Sequence, residues 1–142
     1  MIDVYIDGSF NQNTQTCGWG YVIVGDDQRT VIERGYGAWK KWSNSRNVTG
    51  ECVAVIKALE AVGNLGFDGQ HIIIHHDYEG VAKWITGEWE TKIDLTKWYL
   101  NRFMNEVDVS NIYFRFEKVR AHSGDRWNDE ADRLAKEAVG LC

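Results

Sequence analysis

Proline is missing from all 142 residues of this chain, and cysteine occurs only three times. Without proline, the turns must rest on the 14 glycines and on Asn and Asp, which reach turn geometry through positive φ or side-chain bonds to the backbone. Cys17, Cys52 and Cys142 make an odd count without metal-ligand spacing, which argues against a disulfide scaffold and for a reduced, cytoplasmic setting. No apolar run approaches the roughly 20 residues a membrane span needs, so no membrane partner is expected. The start, Met1-Ile2-Asp3-Val4, lacks the basic region and apolar stretch of a secretory signal. Repeats, linkers and low-complexity tracts are also lacking, and the length suits one domain over residues 1–142. Nor is there an excess of positive charge. A net charge of −5 argues against broad, charge-driven nucleic-acid binding. It leaves room for a nucleic-acid enzyme, because bound divalent cations can set the local sign.

What is present reads in two periods. Ile2, Val4 and Ile6 alternate with Asp3, Tyr5 and Asp7, a strand signal over residues 2–7, and residues 8–16 read as a polar turn. Strands follow over 18–24 and 30–36, giving an antiparallel meander, and 37–47 reads as a polar and aromatic loop. Cys52, Val55, Ile56, Leu59 and Val62 then recur at helical spacing. Residues 71–75 form a short apolar strand of the kind buried between helices. A helix over 78–85, a third helix around Leu95, Trp98, Tyr99, Arg102 and Phe103, a strand over 112–119 and a terminal helix over 125–139 complete the chain. The order βββ-α-β-α-α-β-α predicts an α/β fold: a five-stranded mixed sheet, three strands antiparallel and then parallel ones, flanked by about four helices.

Four carboxylates stand in informative places. Asp7 and Asp77 end apolar, β-rich runs, at the carboxyl edge where α/β sheets form their sites. Glu51 opens the first helix, and Asp132 lies one turn after Asn128 on the last. Each has a bland reading: Asp7 as a turn former before Gly8, Glu51 as a complement to the helix dipole, Asp77 as an N-cap and Asp132 as a solvated charge. Together on one sheet edge they are better explained by divalent cations, since gathered carboxylates repel unless neutralised and oxygen clusters suit Mg²⁺ or Mn²⁺. Two such ions about 3.5–4 Å apart would hold the attacking water and the leaving oxygen of an in-line phosphodiester displacement.

Asp7-Gly8-Ser9, Gly18-Trp19-Gly20, Asn47-Val48-Thr49-Gly50-Glu51, the apolar strand ending in Asp77, and Val119-Arg120-Ala121-His122-Ser123-Gly124 with Trp127-Asn128 and Ala131-Asp132 resemble, in order and spacing, the motifs of type 1 ribonuclease H. The resemblance covers essentially the whole chain. It implies an endonuclease that hydrolyses the RNA strand of RNA–DNA hybrids with low sequence specificity, leaving 5′-phosphate and 3′-hydroxyl ends. It implies two Mg²⁺ ions, with Mn²⁺ as a substitute, held by Asp7, Glu51, Asp77 and Asp132. His122 matches the family's mobile histidine, which assists proton transfer or product release. Asn13 and Asn47 match asparagines that contact the hybrid, and Ser123 stands where a DNA-strand phosphate is held. The hybrid is distinguished by its 2′-hydroxyls across a wide, shallow minor groove.

The chain also departs from the family. Residues 84–94 carry three acids against Lys92 alone, so the basic protrusion that grips the hybrid in many members is missing, as in compact bacterial forms. A monomer with weak intrinsic affinity follows, supplemented by a separate hybrid-binding domain or protein. Val48 stands where the family often has a second asparagine. Lys40-Lys41-Trp42 reads as a solvated turn over packed aromatics, the tryptophans mostly as core, Cys52 as buried, and His75 and His76 as packing residues whose side chains face opposite ways. A binding module with a degenerate site is disfavoured, since clustered negative charge repels phosphates. Other nucleases of this fold are disfavoured by the His122 loop and the short chain.

Overall fold

The computed structural model describes residues 1–66, 69–120 and 125–142. Its strands are β1 (Ile2–Asn11), β2 (Thr16–Val24), β3 (Val31–Trp39), β4 (His71–His76) and β5 (Tyr113–Lys118). Among the described residues the α-helices are α1 (Asn47–Asn64), α2 (Gly80–Thr86), α3 (Asp94–Ser110) and α4 (Arg126–Glu137). The sheet runs β3-β2-β1-β4-β5, with antiparallel pairing across β3, β2 and β1 and parallel pairing across β1, β4 and β5. Parallel neighbours need crossovers, which α1 supplies between β3 and β4, and α2 with α3 between β4 and β5.

Alternation along β1 divides the core. Ile2, Val4 and Ile6 join Ile23, Ile56, Leu59, Ile74, Tyr99 and Phe103 on the face covered by α1 and α3. Tyr5 turns the other way and packs with Val22, Val24, Trp127, Ala131 and Leu134 beneath α4. Both faces are therefore covered, as the element order predicts. Asp125 caps α4, its side chain accepting from the backbone N–H groups of Trp127 and Asn128 at 3.1 and 2.9 Å.

Several boundaries differ from expectation. β1 does not stop at residue 7 but continues to Asn11, because residues 8–11 pair with 16–19 and ladder bonds override their polar character. β3 likewise extends to Trp39, opposite Cys17, and a 3-10 turn at Ser43–Ser45 occupies part of the expected loop. α1 begins at Asn47, so Glu51 lies in its second turn and not at its start. Of the seven tryptophans only Trp127 is buried; the other six are half-buried, with Trp39 and Trp42 both leaning on Trp98. Between α2 and α3 only residues 87–93 intervene, too few for a protrusion.

Candidate active site

The site forms where two strands part. Parallel pairing of β1 with β4 ends at Tyr5 and His75, and β4 itself ends at His76. β1 runs on alone on that side, leaving an open edge beside Asp7, with Asp77 at the exit of β4. Asp7 is therefore not at the end of its strand but at the end of its parallel partner. By alternation it sits on the α4 side, whereas Glu51 comes from α1 on the opposite face. The open edge lets the two meet. α1 reaches it because Gly8 has no side chain: a Cβ there would run into the backbone of Glu51 and Asn47. Gly20, paired with Asp7, gives α4 the same close approach, since a Cβ would strike the backbone of Ala131 and Ala135.

As a result, Asp7, Glu51 and Asp77 each offer a carboxylate oxygen within 4.8 Å of the other two. Gly8, Asn47, Tyr78, Asp132 and Lys136 complete a cavity of about 380 Å³. Asp132 lines it without joining the close group, its Oδ2 accepting from Lys136 Nζ at 2.9 Å.

Burial dominates the electrostatics. It pushes the Asp7 carboxyl up from 3.8 to about 7, with the charge of Asp77 adding to the effect and the Gly8 N–H, donating to Asp7 Oδ1 at 2.9 Å, opposing it. Burial also drives Glu51 well above the usual carboxylate range, and the neighbouring Asp7 charge drives it further. Asp77 is raised by burial as well. Glu51 Oε2 is buried with no hydrogen-bond partner. Carboxylates held at this cost, with one oxygen unpartnered, fit a hard divalent cation with oxygen ligands.

The four expected carboxylates thus line one cavity, and Asn47 joins them. Asn13 does not: it is exposed in the turn between β1 and β2, its backbone N–H donating to Asn11. His122 and Ser123 lie outside the described residues. His75 and His76 bond away from the cluster, to Asp3 at 2.7 Å and to the carbonyl of Tyr78 at 3.0 Å. Cys52 is buried, as expected. The sequence reading missed Tyr78 and Lys136. The spacing of Lys136, one turn after Asp132, was the available signal for it.

A mixed sheet with carboxylates drawn from β1, α1, the end of β4 and α4, those of Asp7 and Glu51 buried and those of Asp77 and Asp132 half-buried, fits a cation-dependent class of site. The chain matches the RNase H family over residues 1–140. It is 32% identical to a ribonuclease H from Syntrophomonas wolfei, across 97% of this chain and 95% of that protein. Its fold is similar to RNase H1 from Halobacterium salinarum, with a TM-score of 0.82 and 26% identity over 99% of this chain and 98% of that one. It also superposes on LC11-RNase H1 in complex with RNA/DNA hybrid, with a TM-score of 0.79 and 18% identity over 98% of this chain and 99% of that one, a likeness of fold. The chain belongs to the ribonuclease H family and is an endoribonuclease. Metal dependence is a property of that family, and the carboxylate cluster agrees with it. Among the described residues no helix is long and apolar enough to cross a membrane.

Proposed function

We propose that this protein hydrolyses the RNA strand of RNA–DNA hybrids, leaving 5′-phosphate and 3′-hydroxyl ends, with Asp7, Glu51, Asp77 and Asp132 holding two Mg²⁺ ions, for which Mn²⁺ substitutes. The observation that carries this reading is the meeting of Asp7, Glu51 and Asp77 oxygens within 4.8 Å, in a cavity that Asp132 also lines. The bound ions would supply electrostatic stabilisation of the attacking and leaving oxygens. Asp7 and Glu51, fixed on β1 and α1, would hold the ions together with Asp77 and Asp132. Water gives up a proton as it attacks phosphorus, the bond to the 3′-oxygen breaks, and that oxygen takes up a proton, with His122 as the group that would carry a proton in this exchange, since an imidazole exchanges protons near neutral pH. Asn47, and with it Asn13, contacts the sugar edge of the hybrid, and Ser123 a DNA-strand phosphate. Contacts to sugars and phosphates read little base identity, so sequence specificity is low.

The same reading takes residues 1–142 as one catalytic domain, monomeric and cytoplasmic. Its affinity would be supplemented by a separate hybrid-binding domain or protein, because residues 87–93 offer no basic grip. Labelled RNA–DNA hybrid, RNA duplex and DNA duplex, incubated with and without Mg²⁺ or Mn²⁺, test the function. Only the RNA of the hybrid should be cut, only with cation, and Asp7→Asn should abolish cutting. Cleavage by Asp7→Asn at the wild-type rate overturns the ligand assignment.

A further inference from the structure

A buried polar pair stands at the last rung of the β1–β4 ladder, just before the carboxylate cluster. Parallel pairing runs through Asp3–Ile73 and Val4–Ile74 to Tyr5–His75, and there it stops. Two residues further on, the same strands deliver Asp7 and Asp77. The last rung is a stack: the Tyr5 and His75 rings lie 4.2 Å apart between centroids, 7° from parallel. His75 Nε2 donates to Asp3 Oδ1 at 2.7 Å, on the diagonal of the ladder, and so keeps the ring over Tyr5. Asp3, Tyr5 and His75 are all buried. On the opposite face, His76 Nδ1 donates to the Tyr78 carbonyl at 3.0 Å and its ring stands edge-on to Phe116 of β5. The segment from His75 to Tyr78, which carries Asp77, is thereby fastened on both faces of the sheet.

Stability does not explain the His75–Asp3 pair. Apolar residues of similar volume at both positions would fold as well or better, whereas a hydrogen-bonded pair fixes one geometry. The geometry fixed here is the spacing of β1 and β4 where their ladder ends. Beyond that rung no ladder bond joins the two strands, while Asp7 and Asp77 act on each other as like charges. We propose that His75, locked by Asp3 and stacked on Tyr5, is a positioning residue for the cation site, setting Asp77 at the distance from Asp7 that one cation can span. This role rests on the cation-holding reading above. His75 acts through the backbone of β4, because its own bond is made to Asp3 and away from the carboxylates.

The test measures Mn²⁺ affinity by electron paramagnetic resonance on chelator-stripped protein, with thermal melts of the same samples in chelator. The double variant Asp3→Leu/His75→Leu, which removes both partners, should melt near the wild type yet bind Mn²⁺ weaker by on the order of 10-fold, the usual effect of losing a group that orients a ligand. His75→Phe, which keeps the stack and loses the bond, should weaken binding in the same direction. Asp3→Asn, whose side-chain oxygen still accepts from His75, should keep the wild-type affinity. Phe103→Leu, in the core on the other face of the sheet, should lower the melting temperature and leave the affinity unchanged. Wild-type affinity in both the double variant and His75→Phe, or an equal loss in Phe103→Leu, overturns the proposal. If the wild type binds no Mn²⁺ and leaves the hybrid uncut, the cation reading fails and the proposal with it; if it binds and cuts while both His75 variants titrate identically, the role of His75 alone fails.

Discussion

His75 Nε2 meets Asp3 Oδ1 at 2.7 Å, both residues buried, and the imidazole stacks on Tyr5 with ring centroids 4.2 Å apart. Asp3 accepts a second bond from the Gln28 side chain, Tyr5 donates its hydroxyl to Gln28, and Trp127 donates its indole N–H to the Gln28 carbonyl at 3.1 Å. This network ties together β1, β4, the β2–β3 turn and α4. Removing Asp3 strands a buried His75 and takes a partner from the Gln28 amide. Asp3→Ala should lower stability by about 2–4 kcal/mol in urea unfolding. A loss under 1 kcal/mol would show that the network contributes little.

Asp7 makes the cation-free protein sensitive to pH. Its carboxyl, raised from 3.8 to about 7, keeps a proton in the native state that the unfolded chain has already released across that window. The native state thus binds more protons, and stability falls as pH rises from about 4 to 7. His76, lowered by burial, acts in the opposite sense below its ordinary 6.5, so the wild type must be compared with a variant lacking only the carboxylate. In chelator at pH 8, Asp7→Asn should be more stable than the wild type by about 1–3 kcal/mol, with the difference vanishing near pH 4. Saturating Mg²⁺ should stabilise the wild type and leave the variant unmoved. Melting curves at both pH values check each part.

Part of this site was legible because two of its carboxylates stand beside plain periodic patterns. Asp77 follows a run of three isoleucines, and Asp132 sits on a helix whose apolar face, Trp127, Ala131, Leu134 and Ala135, repeats plainly. The extension of β1 was not legible. Gly8, Ser9, Phe10 and Asn11 carry no alternation that favours a strand over a turn, and only pairing with Thr16 to Trp19 makes them one. The start of α1 was hidden for a similar reason. Its first turn carries no apolar stripe and follows Arg46, which takes φ 54 and ψ −130, a backbone state that residue type does not announce. Lys136 was overlooked because a lysine one turn after an aspartate is the commonest of surface pairs; its place on the cavity emerges only once α4 is laid over Gly20.

That close approach yields its own test. At Gly8 a methyl group would meet helix backbone, which cannot rotate away as a side chain can. Gly8→Ala should cost about 1–3 kcal/mol or more through overpacking. It should also reduce cleavage more than an equally destabilising change in the core, because it pushes Glu51 away from Asp7. Urea titration with hybrid cleavage on the same samples separates the two effects. Equal loss of activity from Gly8→Ala and from a matched core variant would remove the positioning role.

Binding, finally, should be weak and only mildly sensitive to salt. The chain carries a net charge of −5, and its connection between α2 and α3 holds Glu88 and Glu90 against Lys92. Near Asn47 the cations are Lys40, Lys41 and Arg46, all exposed; Lys41 leans over the Trp42 ring at 4.7 Å and Arg46 over Phe10 at 5.9 Å. Each phosphate neutralised releases counterions, and the logarithm of affinity falls with that of salt by nearly one per contact. Three cations predict a slope of about −2 to −3, far from that of a protein with a basic protrusion. Replacing Lys40 and Lys41 together by Ala should weaken binding of a hybrid in chelator and flatten the slope by about one to two, whatever the base sequence. Fluorescence anisotropy between 50 and about 200 mM salt measures both quantities. A steep wild-type slope, or no change on removing the two lysines, would place the grip elsewhere on the surface.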